Sequence, residues 1–341
     1  MTQKHIAFWD NSLSERGSTT ALFDYALYNE TILNNKSFIF YNQKNKNNDP
    51  HIIQKFKKNF PTIGVNQFKH INQFITEKQI KYLYIIKFGH KDNKIIPHIK
   101  NLIHCVFDCR FPHGDVYTSV GPWVIGADTP SIPTVPHIVN PPPRFFNNLP
   151  ALRSYCHIPT TPTNTATIFG SYGGKDSFNI KYVHETIQKM ATKYSNYYFI
   201  FVNFDNFIPP NTPPQKNIIF LPKITDPQEK ANFVNQCDAM IHAQKLGETF
   251  GLAVAEFAIQ QKPIISCKYS EDNRTNHGHV NILKENAFWY NDEESLTKIF
   301  TDWNTPESKA KQKTVAQNAQ KAYQEFSPEK VMPIFNNVFL S

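Results

Sequence analysis

The sequence has no hydrophobic run long enough to cross a membrane. A helix that spans a membrane requires about 18 consecutive apolar residues. No segment of the 341 residues approaches that length. The short apolar run from Ile6 to Trp9 is broken by Asp10, so the first residues resemble neither a signal peptide nor an anchor. We therefore expect at most peripheral contact with a membrane.

The sequence also lacks the cysteine and glycine patterns of several protein classes. Its five cysteines are odd in number and show no Cys-x-x-Cys spacing, which fits a reducing, cytoplasmic compartment best. No Gly-x-Gly-x-x-Gly follows the first predicted strand of either half, which disfavours an NAD-dependent enzyme. His277 and His279 lie close together but without ligand-type cysteines or carboxylates, so they are weak evidence for a metal site.

Positive charge is in excess but is not concentrated. The formal net charge is +8, and the densest basic group is Lys55, Lys57 and Lys58, on a predicted amphipathic helix. Because no Arg-rich or Lys-rich block appears, we expect no nucleic-acid binding. The excess fits a solvated surface that mildly steers anionic ligands or contacts an anionic membrane face.

The chain instead shows a repeated alternation of β-rich runs and helical patterns. Predicted strands are His5 to Trp9, Ser37 to Tyr41, Tyr82 to Phe88, His104 to Phe107, Thr167 to Phe169, Tyr198 to Val202, Ile218 to Leu221, Ala239 to His242, Ile264 to Cys267 and Ala287 to Tyr290. Such alternation predicts an α/β fold with Rossmann-like, doubly wound parallel sheets, which bind ligands at the carboxyl ends of their strands. Prolines are dense from Ile132 to Thr163, where we place a link between two domains.

The most informative stretch runs from Ala243 to Ile264. Its last part, Leu252 to Ile259, is predicted to be a helix that is apolar on every side except at Glu256, and such a helix belongs in an interior. An unpaired carboxylate there would cost several kcal/mol, so Glu256 should have a dedicated partner. Gly247 and Gly251 bracket the segment before the helix and leave its first amides able to face an anion. This arrangement suits a nucleotide, whose phosphate and sugar diol would be held together.

The spacing of Glu248 and Glu256, with Phe-Gly after the Glu-Thr pair, resembles the E-x7-E signature of retaining glycosyltransferases of the GT-B fold, most closely family 4. The resemblance implies two Rossmann-like domains facing each other across a cleft, residues 1–143 and 144–326, with a C-terminal helix at 327–341 that returns to the first. It implies transfer of a hexosyl or pentosyl group from a UDP- or GDP-sugar to a glycan, lipid-linked or other acceptor, with retained anomeric configuration. No metal or further cofactor is implied, and the sequence has no Asp-x-Asp cluster.

The resemblance also implies roles on the donor side. Glu256 would hold the ribose hydroxyls, and Glu248 would orient the donor sugar. Lys175, in a glycine loop, would neutralise the diphosphate, but Ser171 stands where the family has an arginine, and Lys245 could supply the missing charge. The remaining donor-binding candidates are Gly17, Ile224, Thr249, Phe250, Gly251 and Leu252.

On the acceptor side, the resemblance implies that His113 lies beside the transferred sugar. Arg16 and Arg110 are candidates for contact with the acceptor or a phosphate. Plainer interpretations remain for several of these residues. Glu256 could pair with an internal lysine or arginine on an ordinary buried helix, Lys175 could be a solvent-facing loop residue, and His113 could be structural. Ser171 also keeps open a catalytically inactive nucleotide-sugar-binding or scaffold protein of the same fold.

Overall fold

The structure, a computed structural model, describes residues 3–127, 131–143, 152–161, 164–268 and 276–341. The chain divides into two units: residues 1–138 with 326–341 form unit 1, and residues 139–325 form unit 2. The proline-dense segment lies partly outside the described residues. No helix in the described ranges is both long and apolar enough to cross a membrane.

In the described part of unit 1, a six-stranded parallel sheet has the order β3-β2-β1-β4-β5-β6. The strands are β1 (His5–Asp10), β2 (Lys36–Asn42), β3 (Thr62–Val65), β4 (Tyr82–Lys87), β5 (Lys100–Cys105) and β6 (Val116–Ser119), and the helices are α1 (Gly17–Thr31), α2 (Pro50–Asn59) and α3 (Asn72–Glu77). The central strand β1 is buried from Ile6 to Trp9, as expected for a parallel strand covered on both faces.

In unit 2, the described residues form a second six-stranded parallel sheet, in the order β11-β10-β9-β12-β14-β16. The elements are α4 (Leu152–Tyr155), β7 (Thr160–Thr161), β8 (Asn164–Thr165), β9 (Thr167–Tyr172), α5 (Lys181–Lys193), β10 (Tyr197–Val202), β11 (Ile218–Leu221), α6 (Pro227–Gln236), β12 (Ala239–His242), β13 (Gly247–Glu248), α7 (Leu252–Ile259), β14 (Ile264–Cys267), β15 (Asn276–His277), α8 (Gly278–Leu283), β16 (Phe288–Tyr290), α9 (Glu293–Asp302) and α10 (Pro306–Gln324). Both sheets reverse their strand order beside the first strand, at β1/β4 and at β9/β12. Open α/β sheets bind ligands outside the carboxyl ends of the strands at such points.

The last helix, α11 (Pro328–Phe339), belongs to unit 1. Phe335 stacks on Tyr25 of α1 at 5.2 Å between ring centroids, and Phe339 packs edge-on against Tyr84 of β4 at 5.4 Å. These aromatic contacts bury Phe335 and Phe339, and the helix runs through Pro333.

Candidate functional site

The candidate site lies at the carboxyl edge of the unit 2 sheet, where β9 and β12 are neighbours. Asn179, in the segment between β9 and α5, joins the loops that follow these two strands. Its backbone N–H donates to the Ala243 carbonyl at 2.9 Å, its side-chain oxygen accepts from the Lys245 N–H at 2.7 Å, and its side-chain amide donates to Gln244 at 3.0 Å. The two loops are therefore held side by side by one residue that the sequence analysis did not single out.

The two candidate phosphate-binding lysines lie in these joined loops. Lys175 and Lys245 are both exposed. The backbone around Lys175 is fixed because Asn203 donates to the Gly173 carbonyl at 2.7 Å and the Asp205 N–H donates to the Lys175 carbonyl at 3.0 Å. Ser171 is 1% exposed within β9, so no cation reaches the surface from the position where an arginine was expected.

Two left-handed glycines shape the segment that leads into α7. Gly247 has φ +65° and Gly251 has φ +81°, a region that side chains other than glycine rarely adopt. Gly251 is the N-cap of α7 and provides no side-chain cap, and the first helical N–H bond joins Ala255 to the Gly251 carbonyl at 2.9 Å. The amides of the first turn therefore lie at a helix start that has no side-chain cap from its N-cap residue, and the helix dipole there favours an anion.

Thr249 and Phe250 complete this segment in different ways. Thr249 is half-buried, whereas the Phe250 ring is buried and packs edge-on against Tyr323 at 6.0 Å. The Tyr323 hydroxyl also donates to the Phe250 carbonyl at 3.4 Å. Phe250 therefore anchors the segment to the core, and any contact that it makes with a ligand would come from its backbone.

Glu248 is held by a histidine that the sequence analysis did not select. Its Oε1 lies 3.2 Å from Nε2 of His242, the last residue of β12, and Nδ1 of His242 lies 2.8 Å from the Ser266 hydroxyl. The Glu248 side chain is 32% exposed, so the carboxylate is both tethered and accessible. A polar residue at the end of an otherwise apolar predicted strand, as at Ala239 to His242, is the sequence signal that could have identified His242.

Glu256 has a dedicated partner, and that partner is a lysine. Lys230 Nζ on α6 lies 2.6 Å from Glu256 Oε1, and it also lies 5.2 Å from the centroid of the Tyr172 ring. The helix α7 was predicted to lie in an interior, and five of its eight residues are buried, whereas Leu252, Ala253 and Glu256 form a half-buried face. The Glu256 side chain is 27% exposed, so it is not sealed in the interior.

In unit 1, both ring nitrogens of His113 contact the protein. Nε2 lies 3.0 Å from Lys87 Nζ, and Nδ1 lies 2.8 Å from the Phe111 carbonyl. The Lys87 ammonium has only protons to donate, so Nε2 accepts and Nδ1–H donates. Burial lowers the pKa of His113, which favours this neutral tautomer. A sugar hydroxyl would have to displace one of these contacts.

The two candidate arginines of unit 1 differ in their surroundings. Arg110 forms a bidentate pair with Asp108, with distances of 2.8 Å from Nε and 2.6 Å from a terminal nitrogen, and hydrogen bonding from Arg110 lowers the pKa of Asp108. Arg16 is exposed at the N-cap of α1, and Gly17 begins that helix. Gly17, a donor-binding candidate, is not one of the left-handed glycines.

Unit 1 has an exposed aromatic cluster that was not predicted from the sequence. It is formed by Phe88, His90, Phe107 and Phe111. Phe88 stacks on Phe107 at 4.9 Å and on His90 at 5.0 Å, and His90 lies 5.3 Å from Phe111. Phe88 is 53% exposed, although it directly follows the buried strand β4. In the described residues, five of the eight exposed large hydrophobic side chains fall between positions 88 and 125. Exposed patches of this kind usually mark a contact surface.

Other features lie outside this arrangement. Ile224 is half-buried in the loop between β11 and α6, the helix that carries Lys230. A surface depression of about 510 Å³ along α5 is lined by Gln188, Lys189, Ala191, Thr192 and residues 212–215, none of them a predicted site residue. In the described ranges, no group of three or more His, Cys, Asp or Glu side chains could hold a metal ion.

Comparison with known proteins shows likeness in structure but not in sequence. No protein-family model and no curated protein sequence matches the chain. A glycosyltransferase from Rickettsia africae superimposes with a TM-score of 0.70 at 15% identity, covering 99% of each chain. HepE from Anabaena in complex with UDP-glucose gives 0.67 at 15% identity over 98% of each chain. Sucrose-phosphate synthase from Thermosynechococcus elongatus gives 0.67 at 12% identity over 99% of this chain and 98% of its own.

These likenesses confirm the predicted fold class. The chain has the α/β architecture with two Rossmann-like parallel sheets that GT-B glycosyltransferases have, and the match extends over nearly the whole of each chain. At such low identities, it is the fold that the comparisons establish, and function has to be argued from the site itself.

Proposed function

We propose that the chain is a glycosyltransferase that takes its sugar from a nucleotide diphosphate bound at the carboxyl edge of the unit 2 sheet. The observation that carries this proposal is the convergence, at the β9/β12 reversal, of an uncapped helix start, a tethered carboxylate and two exposed lysines. The helix amides and the two lysines can bind a diphosphate, and the carboxylate can bind the hydroxyl groups of a sugar. The solved complex of HepE with UDP-glucose, which shares the fold, supports this class of donor.

The diphosphate is proposed to lie against the first amides of α7, beyond Gly251. Lys175 and Lys245 would then neutralise the charge that grows on the leaving diphosphate in the transition state. Two loop lysines would replace the arginine that is missing at Ser171, because Asn179 joins the loops that carry them. This arrangement uses no metal and no cofactor other than the donor, which is a UDP- or GDP-sugar.

Glu248 is proposed to orient the donor sugar and to support an oxocarbenium-like transition state in a reaction that retains the anomeric configuration. Glu256 is proposed to hold the ribose hydroxyls beside its ion pair with Lys230. The Lys230 and Glu256 side chains are 28% and 27% exposed, so the ion pair is not sealed from a ligand.

For the acceptor, we propose a glycan that binds the exposed aromatic cluster of unit 1. Of the nearby charged groups, Lys87 and Lys94 share Asp92, and Arg110 pairs with Asp108. These ion pairs offer hydrogen-bond donors and acceptors to the hydroxyl groups of a sugar. The apolar rings would contact the C–H face of the sugar ring.

We expect substitution of Phe88 and Phe107 by alanine to raise the acceptor KM by about 2- to 10-fold for each ring, because each ring contact contributes about 0.5–1.5 kcal/mol. The Kd for the nucleotide diphosphate should not change. Initial rates at varied acceptor concentration test this prediction. Ile334→Ala is a matched control, because Ile334 is 39% exposed in unit 1 but lies on α11. An unchanged acceptor KM in both Phe variants would exclude the cluster as the acceptor site.

Glu256→Gln is expected to weaken donor binding by about 1–3 kcal/mol, because a charge-assisted contact with the ribose diol is lost. Lys230→Met, which removes the other member of the ion pair, should leave donor affinity equal or greater. Titration calorimetry with UDP, GDP and their sugars gives both affinities, and thermal unfolding reports the ion pair. If both variants lower Tm similarly and neither changes donor affinity, Glu256 has only a structural role.

Release of nucleotide diphosphate from UDP- and GDP-sugars, with and without a cell extract as the source of acceptors, tests the proposed function. We expect release that increases with the extract and a transferred sugar of retained configuration. Tight donor binding without release under any of these conditions would favour the second candidate, an inactive nucleotide-sugar-binding protein, for which the buried Ser171 is the specific observation.

A further inference from the structure

His242 and Ser266 face each other across two neighbouring strands. The parallel pairing of β12 with β14 places His242 directly opposite Ser266. Ser266 is fully buried and His242 is 6% exposed, and the Ser266 hydroxyl lies 2.8 Å from Nδ1 of His242. Both residues are therefore fixed by the register of the sheet and not by a mobile loop.

The second nitrogen of His242 determines the direction of the hydrogen bonds. Nε2 lies 3.2 Å from Oε1 of Glu248, and an ionised carboxylate can only accept. Nε2 must therefore carry a proton, and in a neutral imidazole Nδ1 then accepts from the Ser266 hydroxyl. The Tyr290 hydroxyl binds the His242 carbonyl at 2.6 Å, so it holds the backbone of His242 without contacting the ring nitrogens.

The backbone around Glu248 explains why its side chain needs support. Glu248 lies on the two-residue strand β13, between Gly247 and Gly251, both of which have positive φ. Glycine permits more backbone conformations than any other residue, and a glutamate side chain loses about 1.5–2 kcal/mol of entropy when it is fixed. A carboxylate at this place keeps one orientation only if another group binds it.

We propose that Ser266 and His242 form a positioning relay in which Ser266 fixes the orientation of the His242 ring through Nδ1 and His242 holds the Glu248 carboxylate in one orientation. The proposal rests on the proposed function in so far as Glu248 acts on the donor sugar. His242 and Ser266 are positioning residues, since both are buried and only Glu248 is accessible. A nucleophilic serine of the Ser-His-Glu type is excluded because Ser266 is fully buried.

Nitrogen-15 spectra of the histidine rings test the relay without reference to activity. In the full chain, we expect His242 to be the neutral tautomer with its proton on Nε2, and loss of its signals in His242→Gln assigns them. In Ser266→Ala the proton should stay on Nε2, but the Nδ1 signal should move to the position of a ring nitrogen that accepts no hydrogen bond, and Ser266→Thr, which keeps the hydroxyl, should restore the wild-type Nδ1 signal. A proton on Nδ1 of His242 in the wild type would overturn the relay.

Kinetics distinguish positioning from a structural role. We expect Ser266→Ala and His242→Gln to lower kcat by about 10- to 100-fold with little change in the donor KM, because a misplaced group costs rate more than binding. Ser266→Thr should keep most of the activity. Tyr290→Phe is the matched control, since it removes a buried hydrogen bond to the His242 carbonyl and should lower Tm without lowering kcat.

The two possible failures give different results. An unchanged kcat in Ser266→Ala, or a loss of kcat in Tyr290→Phe equal to that in Ser266→Ala, overturns the relay. If the wild type releases no nucleotide diphosphate from any donor, the proposed function fails, and the tautomer spectra alone then decide whether Ser266 and His242 hold Glu248.

Discussion

Glu248→Gln is expected to lower kcat by about 100-fold and to change the Kd of the nucleotide diphosphate by less than about 3-fold. The carboxylate is accessible and is held by His242 at 3.2 Å, so it can stabilise positive charge that develops on the donor sugar. Glutamine has the same shape but no charge. Because the proposed contact is with the sugar, binding of the nucleotide should not change.

Initial rates with the intact donor, together with calorimetric titration by UDP and GDP, measure these two quantities. Glu285→Gln is a suitable control, because it removes one negative charge from a side chain of unit 2 that is 87% exposed. Its kcat should equal that of the wild type. If Glu248→Gln also keeps its full kcat, the catalytic assignment of Glu248 is wrong. If instead only the nucleotide affinity falls, Glu248 contacts the nucleotide and not the sugar.

The alternation of apolar runs and helical patterns predicted both sheets because central parallel strands are covered on both faces and read as continuous apolar segments. The strands that the sequence analysis missed in unit 1, β3 and β6, lie at the two edges of the sheet. Both strands are four residues long and partly exposed, so the periodicity of their apolar residues is weak.

The strand predicted at His104 to Phe107 instead covers Lys100–Cys105. The polar residue Asn101 concealed the start of this strand in the sequence pattern, because a polar residue does not read as part of an apolar run. The Asn101 side chain is nevertheless buried and donates a hydrogen bond to the Ile96 carbonyl.

The sequence predicted the glycine-bracketed segment before α7 because glycine at a helix start is a local signal. It could not predict which residues would meet there. Asn179 binds Lys245 across 66 positions and Ser266 binds His242 across 24, and both contacts depend on the order and register of strands in the sheet. The need for a partner of Glu256 was predictable from the cost of burying a carboxylate. That the partner is Lys230 depends on how α6 packs beside α7.

Removal of Lys175 and Lys245 together is the second change for which we expect a large loss of activity. For the double variant Lys175→Ala, Lys245→Ala, we expect kcat/KM for the donor to fall by about 100- to 1000-fold, because the leaving diphosphate would lose both cations that replace the missing arginine. Each single variant should retain more activity than the double variant. Donor-dependent initial rates at constant ionic strength measure the effect, since exposed charges are screened by salt.

The double variant Lys193→Ala, Lys216→Ala is the matched control for this prediction. It removes the same charge from two exposed positions, one at the end of α5 and the other just before β11, both at the amino edge of the unit 2 sheet. A general effect of net charge on donor attraction would lower kcat/KM equally in both double variants. A specific phosphate role requires the loss to be confined to Lys175 and Lys245. If the loss is confined to them but appears in donor Kd and not in kcat, the lysines bind the ground-state diphosphate, and stabilisation of the leaving group must come from the amides at the start of α7.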